Sequence, residues 1–282
     1  MTGRQAMGAA HLLLYVLTLL LVLALAVSSV TFFDFWWYLA SGERILAQRA
    51  VPSTDPFSYT AEGRPWINHM WATQVLFVLV WRAGGRVALI LGKGAVVTAT
   101  FAVVLLTMRR RGVHPLVAVV VTLLAAWTGW LFWHVRPQVF TYLFLAVFLY
   151  LLREGWESRP RTWPLFPLLM VPWVNLHAGF LTGLAILGLV SVGTAVPRLL
   201  DRDPERRRAG WRVLGLGAAL TGVTLLASLV NPYGVWAVLF PLEVVNTRLF
   251  MVSTYEWFSP NFHDPRYRGF EAMLLLLAPA CA

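Results

Sequence analysis

The sequence predicts an all-α membrane protein, a polytopic bundle of about eight transmembrane helices whose first outer loop carries helices lying along the membrane surface. Three observations predict it. Hydrophobic residues fill 59% of the 282 positions and charged residues only 13%, with a mean hydropathy of +0.67, so polar surface is too scarce to cover a soluble globule. Apolar segments matched to a bilayer core, about 20 residues each, recur along the chain. Polar motifs and arginine clusters fall on alternate ends of those segments.

The segments lie at about 11–31, 87–108, 114–133, 137–153, 163–178, 179–199, 212–230 and from 269 onward. The first continues without a polar break into VSSVTFF, which favours a retained anchor over a signal peptide cleaved near Ala24-Leu25-Ala26. The last stops at LLLLAPACA without a closing basic flank. Residues 1–282 therefore read as one transmembrane domain cut short at its C-terminus. Cys281 is the single cysteine, which excludes an intrachain disulfide and a thiolate metal site.

The formal charge of +10 is a matter of position. Arg109, Arg110 and Arg111, then Arg153, Arg159 and Arg161, then Arg198, Arg202, Arg206, Arg207, Arg208 and Arg212 crowd into short loops. Such loops stay cytoplasmic, which accounts for the basicity without a nucleic-acid partner. The other ends, with FFDFWWYLASGERIL, STDPFSYT, PWINH, HVRPQ, WVNLHAG and NPYG, then face away from the cytoplasm.

In the first outer loop, residues 32–86, Asp34 directly follows the first span. Trp37, Ala40, Ser41, Arg44 and Ile45 recur after it at helical spacing, which places Asp34 at a helix N-terminus, as a cap or as a reactive carboxylate. PWINHMWATQVLFVLVWRAGG follows. Were it to cross the bilayer, Arg109 to Arg111 would end outside, so it is expected to lie flat. Its core, 69–81, carries His69 and Gln74 among Trp66, Trp71 and Trp81, and indoles favour the headgroup level. Gly84-Gly85 is expected to turn the chain into the span ending at Arg109.

The outer face then gathers Asp34, Glu43, Asp55, His69, His134, Arg136, Gln138, Asn175 and His177. Each is either a wet loop residue or part of a substrate pathway. Trp173, Asn175 and His177 alternate in WVNLHAG, where they either hold sugar-like hydroxyls and assist proton transfer or tie helices together. Lys93, in the outer third of a span, either snorkels or supplies a point charge. Motifs for metalloproteases, serine hydrolases and nucleotide hydrolases are missing. NPYG reads as a turn closing a helix.

The order of these parts resembles the GT-C superfamily of integral membrane glycosyltransferases, which includes oligosaccharyltransferases, protein O-mannosyltransferases and the aminoarabinose transferases of lipid A. The resemblance covers residues 11–111, and DFWWYLASGERIL, VPSTDPFSYT, PWINHMW, VRPQ and WVNLHAGF are similar to a group of bacterial GT-C proteins. It implies a multi-pass protein of the bacterial cytoplasmic membrane with an extracytoplasmic site. It also implies a polyprenyl-phosphate-linked sugar as donor and a glycan, lipid or protein hydroxyl as acceptor. Asp34 stands where the resembling family keeps its acid and is the expected catalytic base; for a donor and acceptor of this kind the residues themselves then offer His177 as a second catalytic group, Arg136 and Lys93 to hold the donor phosphate, and His134, Gln138, Trp173, Asn175, Asp55 and His69 to bind substrate. The chain departs from the family in one respect. Asp34 is followed by Phe35 rather than a second acid, and HVRPQ holds none, so a divalent cation lacks its usual pair of carboxylates unless Glu43 or Asp55 completes it. A scaffold subunit and a transporter are the alternatives, although the spans show clean midplanes and no inverted repeat.

Overall fold

The computed structural model describes residues 3–27, 34–247, 252 and 258–281. Residues 28–31 of the first expected span, and 32–33 of the loop after it, lie outside the described residues. The described secondary structure is helical apart from one isolated bridge, Thr54 to Pro65. In chain order the helices are α1 (Gly3–Ala26), α2 (Asp34–Gln48), α3 (Trp71–Arg110), α4 (Pro115–Gly129), α5 (Gln138–Arg153), α6 (Leu165–Leu176), α7 (Phe180–Leu199), α8 (Pro204–Ala227), α9 (Val235–Asn246) and α10 (Arg268–Cys281).

Five stretches are long and apolar enough to cross a membrane: Gly8–Ala26, Trp71–Arg110, Pro115–Phe132, Phe180–Leu199 and Pro204–Ala227. They identify a membrane protein, because much of their apolar surface is exposed in the protein itself. On α1 alone Leu13, Leu17 and Leu20 are each more than half exposed, a stripe that water would not tolerate and lipid accepts. Several polar side chains on the spans are satisfied locally. Thr18, Thr100, Thr122, Ser191 and Thr224 each donate to the carbonyl four residues back, so these hydroxyls do not meet hydrocarbon bare, whereas the buried hydroxyls of Thr98 and Thr221 make no hydrogen bond.

Three expected spans form shorter helices. α5 has 16 residues, α6 has 12 with Pro172 inside it and an extended His177 at its C-cap, and α10 has 14. α6 stops because His177, at φ −162°, has left the helical region. A further short apolar helix, α9, lies between the NPYG turn and Thr247. That turn is present as expected: Asn231 Oδ1 accepts from Tyr233 N, and Gly234 has φ 55°.

α3 is broken where the paired glycines stand. Gly85 has φ 58° and ψ −146°, a conformation that a Cβ would disfavour, so residues 71–83 and 86–110 are two helical pieces. The second spans roughly 37 Å at 1.5 Å per residue, enough for a bilayer core.

The chain divides into two compact units. The first comprises Met1–Phe35, Val80–Val139 and Arg248–Ala282. In it α1 and α10 both pack on α4, and Val22, Ala26, Leu89, Val97, Ala118 and Ala126 are among its buried apolar residues.

The second unit comprises Trp36–Leu79 and Phe140–Thr247. α7 packs along α8, α6 joins them, and Phe148, Phe166, Met170, Trp173, Phe180 and Leu187 form its core. α2 forms over the expected stretch. Tyr38, Leu39, Ser41, Gly42 and Ile45 are buried, while Trp37, Ala40 and Arg44 are exposed. The face is set by Gly42, whose missing side chain lets α2 lie against the backbone of Gln74. Ser41, Asn68 and Gln74 close a buried polar triad beside it, with Ser41 Oγ donating to Gln74 Oε1 at 2.7 Å, Asn68 Nδ2 to the same oxygen at 2.6 Å, and Gln74 Nε2 to Asn68 Oδ1 at 2.9 Å.

Candidate functional site

In the first unit the polar residues gather on the segment between α4 and α5. A 3-10 turn at Trp130–Phe132 ends α4 and delivers Trp133, Val135 and Val139 into the core, each 3% exposed or less. The alternation leaves His134 and Arg136 partly exposed, and the backbone is tightened by Arg136 N donating to His134 O at 2.9 Å. Gln138 opens α5. Lys93 is buried at 4% and donates from Nζ to Trp133 O at 2.8 Å. Its ammonium is thereby tied to the segment that carries Arg136, instead of reaching outward along the helix.

Asp34 is the first residue of α2 and lies in the same unit. Arg136 Nη2 stands 3.4 Å from Asp34 Oδ2, with the arginine side chain 15% exposed and the aspartate side chain 48% exposed. A largely enclosed guanidinium therefore faces a carboxylate that water reaches. Arg136, the Lys93 ammonium tied to the same segment and the accessible Asp34 carboxylate beside the arginine suit an anionic group that sheds charge onto the cations while a proton is taken up nearby.

In the second unit the site residues form a different cluster. Trp173 Nε1 donates to Thr141 Oγ1 at 2.9 Å, and Thr141 Oγ1 lies 2.8 Å from His177 Nδ1. Gly179 N also donates to His177 Nδ1, at 3.0 Å. Because Nδ1 accepts a backbone N–H, the proton of the neutral ring sits on Nε2. Gly179 is required here by close approach, since a Cβ would collide with the Thr141 hydroxyl.

Trp173 cannot offer a face to a sugar as expected. It is wholly buried, stacked on Phe144 at 5.5 Å and edge-on to Phe148 at 5.3 Å, so its indole N–H serves Thr141 and its rings serve the core. Asn175 is likewise committed to structure. It accepts from Trp71 Nε1 at 2.8 Å and donates to the carbonyls of Val171 and Val230, tying the start of α3 to α6 and to the end of α8.

Asp55 Oδ1 accepts from Phe57 N at 2.8 Å and Ser58 N at 3.0 Å, an Asx turn. Hydrogen bonds from Ser58 and from the two amides hold its carboxyl below the usual aspartate range. The imidazole of His69 lies against Phe240 with ring centroids 4.9 Å apart, and burial lowers its pKa to about 4. Both residues thus act as anchors of the loop and its neighbours. Tyr233 does the same, its hydroxyl donating to Pro52 O at 2.8 Å.

Thr141 is the member of this cluster that the sequence does not single out. A threonine inside QVFTYLFL carries no pattern of its own; its role comes from partners more than 30 residues away in sequence. Among the described residues no three His, Cys, Asp or Glu side chains gather closely enough to hold a metal ion. Compared with family models, curated proteins and solved structures, the chain gives no match.

Proposed function

We infer that this protein is a GT-C-like membrane glycosyltransferase. It moves a sugar from a polyprenyl-phosphate-linked donor to an acceptor hydroxyl on the extracytoplasmic face of a bacterial cytoplasmic membrane. Residues 86–110 of α3 and the other four long apolar helices, joined by α5, α6 and α10 as shorter crossings, make up its eight spans, and residues 69–81 lie along the outer surface. The observation that carries the proposal is the Asp34–Arg136 pair, 3.4 Å apart, with Lys93 tied to the same segment.

The chemistry follows from those groups. A donor phosphate entering beside Arg136 competes with Asp34 for the guanidinium, and a planar fork of donors holds a phosphate in two places at once. The carboxylate released from the pair accepts the proton of the acceptor hydroxyl. The acceptor oxygen then bonds to the anomeric carbon as the bond from that carbon to the phosphate oxygen breaks, and the phosphate leaves with the electron pair, stabilised by Arg136 and Lys93.

A non-catalytic scaffold subunit is the second reading. It is favoured by the same ion pair taken as a permanent clasp, and by Asp34 having no adjacent acid. The two are separated by incubating the full-length protein in lipid vesicles with labelled polyprenyl-phosphate sugars and an acceptor fraction. Label transferred by the wild type supports the transferase. Failure with every donor leaves the scaffold.

A further inference from the structure

At the end of the first unit remote in sequence from Arg136, a cavity of about 460 Å³ opens among α1, the end of α3 and the start of α4. It is independent of the site described above. His11 and Tyr15 come from α1, Arg109 from the last turn of α3, and His114 from the loop before α4. None of these four side chains makes a hydrogen bond or ion pair among the described residues. No carboxylate lines the cavity.

The geometry points to a binding site for the phosphate-bearing headgroup of an anionic phospholipid. Three kinds of observation combine. First, the polar groups are one cation, two imidazoles and a phenol, which can all donate to phosphate oxygens when the rings carry the appropriate protons. Second, the cavity is roomy enough for a headgroup and not merely for an ion. Third, exposed apolar side chains lie on its lining and on the helix it borders: Leu12, which lines it, is 57% exposed, and Leu116, Val117 and Val120, which follow the lining residue Pro115 in α4, are 59%, 52% and 62% exposed. A headgroup seated on the basic side chains would leave its acyl chains lying along these residues. A free phosphate would use the first observation alone. Basic pockets between membrane helices at a cytoplasmic surface hold acidic headgroups in this way, and Arg109 belongs to the arginine cluster expected to be cytoplasmic.

The experiment is native mass spectrometry of the purified full-length chain in detergent, titrated with phosphatidylglycerol, with phosphatidylcholine, or with inorganic phosphate alone. The expected result is one retained phosphatidylglycerol per chain, no comparable phosphatidylcholine adduct, and a loss of phosphatidylglycerol affinity of about tenfold or more in Arg109→Ala/His114→Ala, the scale of losing charged hydrogen bonds. Arg207→Ala/Arg208→Ala, which removes two exposed arginines from another basic loop, is expected to leave that affinity unchanged. Equal retention of both lipids would overturn the proposal, as would an equal loss in the two double variants, which would mean diffuse charge rather than a site. Inorganic phosphate that binds as tightly as the lipid and blocks it would also overturn it in favour of a soluble anion. Should the cavity variant prove unstable, Tyr15→Phe, which removes one hydroxyl and keeps the ring, is expected to weaken the lipid adduct by several-fold; no change would count against the site.

Discussion

Arg136 Nη2 and Asp34 Oδ2 lie 3.4 Å apart, with the arginine enclosed and the aspartate half in water. The asymmetry matters because such a pair contributes little to folding, no more than about 1 kcal/mol when one partner is solvated, yet fixes the guanidinium in the direction of the carboxylate. Asp34→Asn keeps size and hydrogen bonding and removes the base. Transfer should fall by roughly two or more orders of magnitude, while the thermal midpoint in detergent stays within a few degrees. Arg136→Lys should chiefly raise the KM for donor, because the charge remains and the fork is lost. Wild-type transfer by Asp34→Asn would make the aspartate a helix-terminal clasp.

Membrane orientation supplies the next expectation. With Cys281 replaced by alanine, a cysteine at Tyr59 should react with an impermeant thiol reagent in intact cells, since Tyr59 is 99% exposed in the loop that also holds Asp55. A cysteine at His134 should react too, and one at Arg207 should not, because the arginine bias holds that loop inside. Labelling at Arg207 alone would reverse the orientation and move the Asp34–Arg136 site to the cytoplasmic side.

The parts legible in sequence are those governed by local physics. Unbroken apolar runs gave the long helices, and Gly84-Gly85 marked the break in α3 because Gly85 tolerates φ 58°. Paired burial was harder. The face of α2 centres on Gly42 because of Gln74, a residue in a different helix, and no periodicity within DFWWYLASGERILAQ reveals that neighbour. The polar groups of WVNLHAG divide for a similar reason. Trp173 turns into an aromatic core and Asn175 pairs with Trp71, 104 positions away, whereas His177 is held by Thr141 and Gly179. Sequence spacing places all three at a helix end but cannot say which partner each one meets.

Acidification should destabilise the protein through His69. Its folded pKa is lowered from 6.5 to about 4 by burial, so between those values the unfolded chain binds the proton and the folded chain does not. Stability therefore falls as pH drops from about 6.5 to about 4, by up to about 3 kcal/mol at 1.36 kcal/mol per unit. His69→Phe retains the contact with Phe240 and has nothing to protonate. Thermal midpoints measured from pH 7.5 to 4 should converge on a flatter profile for this variant; parallel profiles would locate the acid sensitivity elsewhere.

Gly179 tests the His177 cluster by crowding it. A methyl group at this position collides with the Thr141 hydroxyl and comes within 3.0 Å of His177 Nδ1, so Gly179→Ala must displace the threonine, the imidazole or the turn that joins α6 to α7. Overpacking of this kind costs about 1–3 kcal/mol. Thr141→Ala removes both side-chain atoms that a Cβ at residue 179 would strike, but on its own leaves Trp173 Nε1 without its acceptor and costs about 1–3 kcal/mol for that buried donor. The double variant should therefore be more stable than the sum of the single losses predicts, by about 0.5–3 kcal/mol of coupling, in chemical denaturation of the detergent-solubilised protein. Strict additivity would mean that the methyl group is accommodated by the backbone. His177 would then be positioned by something other than the Trp173–Thr141 chain.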